Sequence, residues 1–162
     1  MKMEYLRDLF AALGFSNVET FIASGNVIFD STAKSTRSLE KKIEGCLQDA
    51  LGYAVATFIR STSELADIAQ YKPFSDAELR AAGHSLYFGF MANEPSNAAK
   101  KKLLSLATTV DDFHLNGREV YWLCRTKFSE SEISGAQLAK TLGMPATLRN
   151  ATTVKKIGAK YS

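Results

Sequence analysis

The sequence predicts an α+β fold made of two similar halves in tandem, and three observations predict it. Apolar residues recur at helical spacing in some stretches and alternate in others. Two β-hairpins stand at corresponding places in the two halves, and glycines close helix after helix. The length of 162 residues suits one ordinary domain or two small ones. A chain of this size buries about 68–70% of its unfolded surface, so it needs no covalent staple.

In the first half, Leu6, Leu9, Phe10 and Leu13 form a helical stripe, with Lys2, Glu4, Arg7 and Asp8 outside it, and Gly14 ends the helix. VETFIASGNVIFDS then reads as two strands, 18–23 and 27–30, around Gly25-Asn26, because a two-residue loop led by glycine suits an antiparallel hairpin. A single glycine in Ser24-Gly25-Asn26 makes no phosphate cradle. Leu39, Ile43, Cys46, Leu47, Ala50 and Leu51 mark a second helix closed by Gly52, and residues 54–60 read as a strand. Ser61 and Glu64 form a capping box that opens a third helix toward Gln70, with Leu65, Ile68 and Ala69 inward. Residues 71–83, with Pro73, Asp76 and Gly83, read as a connector holding one helical turn.

The pattern then restarts. Residues 85–91 form a strand, and Pro95-Ser96 precedes a helix through Ala107 with Ala99, Leu103 and Leu106 inside. DDFHLNGREVYWLC is a second hairpin, for which Asn116-Gly117 predicts a type I′ turn. Ser129 and Glu132 can cap a helix to Leu142 closed by Gly143, and Ser134-Gly135 reads as a helix-entry device. A short strand at 146–149 and a final helix from Ala151 complete the chain. The second half is thus β-α-β-β-α-β, the ferredoxin-like series, and the first half is the same series less its first strand. The expected architecture is two tandem ferredoxin-like units, the first lacking its N-terminal strand, plus a C-terminal helix. Its expected bounds are 1–70 for the first unit with a linker helix, 71–83 for the connector and 84–162 for the second unit.

KMEYLRDLFAALGFSNVETFIASGNVIFDS and GMPATLRNATTVKKI resemble the two signature regions of the bacterial family called domain of unknown function 1697, and the likeness runs over essentially the whole chain. The resemblance implies two ferredoxin-like halves and supplies no activity, cofactor or catalytic residue. The family normally begins upstream, with a strand running into a glycine-containing loop, whereas here Met1 starts directly at the first helix. That departure leads to the expectation of about 20–30 further residues upstream, the length of a strand plus a turn.

Several chemistries are excluded. His84 and His114 belong to no spaced ligand set, so no metal is expected, and His114 is placed facing solvent. There is no G-x-S-x-G, no argued nucleophile–base pair, and no P-loop or Rossmann fingerprint, so no cofactor is expected. Glu130 and Glu132 do not make a glycosidase pair, since a cap position explains Glu132. Tyr87, Phe88, Phe90, Tyr121 and Trp122 fall on strands, as in sheets that stack RNA bases, but they alternate faces and lack an RNP-like run, so core packing or packing of half against half is the expectation for most of them. No apolar run reaches membrane-spanning length, and MKMEYLRDLF, with Glu4 and Asp8, is not expected to act as a signal peptide. Cys46 and Cys124 form no C-x-x-C pair and are expected as buried thiols of a cytoplasmic protein.

Charge singles out the end of the chain. Of the 17 acidic residues none lies after Glu132, while Lys140, Arg149, Lys155, Lys156 and Lys160 do, in a chain of net charge +3. Arg149, Asn150, Thr152, Thr153, Lys155 and Lys156 surround a helix start, where free N–H groups and the helix dipole favour an anion. The competing structural reading is a capped helix with solvated lysines and Arg149 paired elsewhere. The expected function is a non-enzymatic binding module for an anionic ligand: a nucleotide, a nucleic acid or a phosphorylated metabolite. The alternatives are an enzyme on a small anionic substrate, with part of its site in the N-terminal loop that the resemblance implies, and a protein-interaction module. No membrane partner is expected.

Overall fold

The computed structural model describes residues 2–21, 25–33, 35–127 and 131–161. It is a mixed α+β protein with two antiparallel sheets, and it divides into two compact units, Met1–Ile59 and Arg60–Ser162.

The first unit contains α1 (Met3–Ala12), β1 (Ser16–Phe21), β2 (Asn26–Asp30) and α2 (Thr36–Leu51). Its core gathers Leu6 and Phe10 of α1, Phe15, and Leu39, Ile43 and Leu47 of α2. The Phe15 and Phe29 rings stack at 4.4 Å, and Phe10 meets Phe29 edge-on at 5.4 Å. Ser35 caps α2 by accepting from the Ser38 amide, and Gly52 ends it at a φ of 80°.

Two expectations are corrected in this unit. Phe21 pairs with Asn26, so Asn26 belongs to a strand rather than to the turn of the first hairpin. Residues 22–24, Ser24 among them, lie outside the described residues. Residues 54–60, expected as a strand, carry no sheet pairing in the structure. Val55 and Ile59 nevertheless pack on the core, and the Ile59 amide donates to Glu40 Oε2 at 2.8 Å. Glu40 is only 5% exposed, and this side chain supplies an acceptor that a neighbouring strand would otherwise supply. Cys46 is half-buried rather than buried; Cys124, in the second unit, is buried.

The second unit runs α3 (Thr62–Gln70), α4 (Asp76–Arg80), β3 (Ser85–Met91), α5 (Asn97–Leu104), β4 (Asp111–Asn116), β5 (Glu119–Cys124), α6 (Gly135–Leu142), β6 (Ala146–Asn150) and α7 (Ala151–Tyr161). Its sheet has the order β4-β5-β3-β6, with every neighbouring pair antiparallel. One face carries Met91, Phe113, Val120 and Trp122 against Leu103 of α5 and Leu138 and Leu142 of α6. The alternate positions Phe88, Phe90, Tyr121 and Leu123 are buried on the other face. Here α3 and α7 pack together and α7 lies on β3. The Tyr121 hydroxyl donates to the Ile68 carbonyl at 3.5 Å, and a Cβ added at Gly158 would meet Ala69 at 3.8 Å.

These contacts explain why the units divide at Ile59/Arg60 rather than near residue 70. Ser61 and Glu64 form the expected capping box of α3, but the helix belongs to the second unit. Arg60 Nη2 lies 3.0 Å from Glu119 Oε2 and 2.7 Å from the Met91 carbonyl, and Arg118 pairs with Glu64 at 3.0 Å.

Three local expectations also change. Asn116 pairs with Glu119, leaving Gly117-Arg118 as the two-residue loop. Gly117 has a φ of 59° while Arg118 has no positive φ, the pattern of a type II′ turn rather than I′. The cap of α6 is Ser134, whose hydroxyl accepts from the Gln137 amide at 3.1 Å; Ser129 lies outside the described residues. His114 does not simply face water: its Nε2 is 2.7 Å from the Tyr71 hydroxyl, and its ring neighbours Tyr121.

Candidate anion site at the start of the last helix

β6 is an edge strand beside β3, and its last residue, Asn150, is followed at once by α7. Strand alternation turns Leu148 toward the core face, where a Cβ at Gly89 would approach it to 3.3 Å. Thr147 and Arg149 therefore share the opposite face, with Arg149 in register with Phe88. Arg149 Nη1 donates to Thr147 Oγ1 at 2.8 Å and to the Leu148 carbonyl at 2.9 Å. Its side chain is half-buried, and burial lowers its pKa from the ordinary value.

Asn150 caps α7: its Oδ1 accepts from the Thr152 amide at 2.8 Å, which satisfies one of the orphan donors of the first turn. Ala151, Val154 and Gly158 are buried. Thr153 is half-buried, while Thr152, Lys155 and Lys156 are exposed. Among the described residues Lys155 and Lys156 make no hydrogen bond or ion pair. The structure thus joins Asn150 to Thr152, directs a donor of Arg149 back along β6, and leaves the two lysines on the solvent side of α7. Lys140, in the last turn of α6, is likewise exposed.

Other polar clusters are tied to the fold. Arg125 grips Glu78 of α4 through two hydrogen bonds of 3.1 Å and also reaches Asp112 at 3.4 Å. His84 Nδ1 lies 2.8 Å from the Glu78 carbonyl oxygen. In the first unit a cleft of about 350 Å³ is lined by Phe15, Ser31, Thr32, Ser38, Leu39 and Lys42. Lys42 Nζ donates to the Leu13 carbonyl at 3.2 Å, and so serves the C-terminal end of α1. Phe88, Phe90, Tyr121 and Trp122 are buried, which leaves them unavailable for stacking on bases. Among the described residues no group of three His, Cys, Asp or Glu side chains is placed to hold a metal ion, and no helix is long and apolar enough to cross a membrane. Glu130 lies outside the described residues, and Glu132 is exposed.

The fold and this site define an α+β protein with two small antiparallel sheets and a basic terminal helix. The family model described as protein of unknown function (DUF1697) matches residues 1–121, and the chain belongs to that family. The GMPATLRNATTVKKI stretch lies outside the matched residues. The chain is similar in fold to the solved structure of the conserved bacterial protein SP0830 from Streptococcus pneumoniae, with a TM-score of 0.72 and 24% identity over 100% of this chain and 89% of that one. No curated protein is significantly similar to the chain.

Proposed function

We propose that the chain is a non-enzymatic binding module whose second unit takes an anionic ligand at the start of α7. The ligand class is a nucleotide, a nucleic acid or a phosphorylated metabolite. The observation that carries the reading is the pair Lys155 and Lys156, exposed and making no hydrogen bond or ion pair among the described residues, in a terminal stretch that holds no acid. Exposed Thr152 adds a hydroxyl, and the first turn adds its remaining N–H groups and the positive end of the helix dipole. Arg149 contributes charge from the adjoining strand while Thr147 holds part of its guanidinium. Two free thiols and a ligand of this class suit the cytoplasm.

The same reading takes the molecule as two tandem ferredoxin-like units. The β4-β5-β3-β6 order supports it for the second, and the series α1-β1-β2-α2 supports it for the first without an initial strand.

Equilibrium binding of ATP and of a single-stranded oligonucleotide, measured at low and at raised salt, tests the function. A nucleic-acid ligand predicts that log affinity falls linearly with log salt. Recovery of the ATP unchanged after long incubation supports a binder, whereas turnover returns the enzyme alternative. Absence of binding to either probe at low salt overturns the proposal.

A further inference from the structure

We draw no further inference here: the strongest candidate, the open edge of the two-stranded β1–β2 sheet in the first unit, has no further strand paired to it among the described residues, and nothing in the structure shows what covers it.

Discussion

Asn150 Oδ1 accepts the amide proton of Thr152 at 2.8 Å, so the first turn of α7 is capped by the last residue of the strand that precedes it. With no loop between β6 and α7, one side chain ends the strand and opens the helix. Replacing Asn150 by Ala removes that acceptor. We expect a loss of about 0.5–2 kcal/mol, the usual cost of a deleted N-cap. A urea denaturation series reads it directly, and an unchanged midpoint would show that the cap contributes nothing to stability.

Gly117 occupies the first loop position of the β4–β5 hairpin with a φ of 59°. An ordinary L side chain is strained there, and a β-branched one most of all. Gly117→Val is expected to lower stability by roughly 1 kcal/mol or more. Nothing lies within 4 Å of a Cβ added at this position, so backbone conformation rather than a clash would cause the loss. Equal stability of the variant and the parent would contradict the turn assignment.

Asp111 is 2% exposed and accepts from Trp122 Nε1 at 2.8 Å and from the Ser131 hydroxyl at 2.9 Å. Asp111→Ala leaves the buried indole N–H without this acceptor. An unmade buried hydrogen bond costs about 1–3 kcal/mol, and the vacated volume adds to it. Thermal melts of Asp111→Ala and Asp111→Asn provide the check, because the amide oxygen can still accept. The alanine variant should be the less stable of the two; the reverse order would argue against the hydrogen-bonding role.

Hydrogen bonds from Arg125 hold the Glu78 carboxylate below its ordinary pKa of 4.5. A carboxylate with a depressed folded-state pKa adds stability above its unfolded pKa and loses it as pH falls through the folded one. The parent should therefore lose part of its stability below pH 4.5, and Glu78→Gln should lose less over the same range. The difference should shrink in high salt, because the pair is partly exposed. Parallel pH profiles of Tm for the two proteins would refute the coupling.

Local rules made much of the fold legible. The Ser61–Glu64 box, Gly52, Gly143 and the strand Ser85–Met91 all stand where the residues place them, because caps and alternation act over a few positions. The failures are non-local. Residues 54–60 have the composition of a strand, but pairing requires a neighbour, and the Ile59 amide finds Glu40 instead. The allegiance of α3 depends on Arg60 meeting Glu119, 59 positions away, which no window along the chain reveals. Hairpin loop lengths follow from the registers Phe21–Asn26 and Asn116–Glu119, and glycine position alone misplaces both by a residue or more. Ser129 and Ser134 both offer a capping hydroxyl; Ser134 caps the helix that buries Leu138 and Leu142.

At the candidate site the helix start is legible in the sequence, whereas the choice of Asn150 as the cap follows from its hydrogen bond to the Thr152 amide. Charge alone does not reveal the direction of Arg149, although the strand spacing carries a signal. Thr147 and Arg149 are two apart on one strand and so share a face, where a hydroxyl and a guanidinium can meet.

Inorganic phosphate is the simplest probe for an anion bound at the start of α7, and the melting temperature reads its binding. A ligand that binds only the folded state raises Tm with concentration. The parent should show a phosphate-dependent rise that weakens with added sodium chloride, and Lys155→Ala/Lys156→Ala should lose most of it. A Lys100→Ala control should keep the rise, because Lys100 is already paired with Glu94 at 2.7 Å. No rise for the parent, or an equal rise in the double variant, would rule out the anion site and return α7 to a capped helix with a solvated basic face.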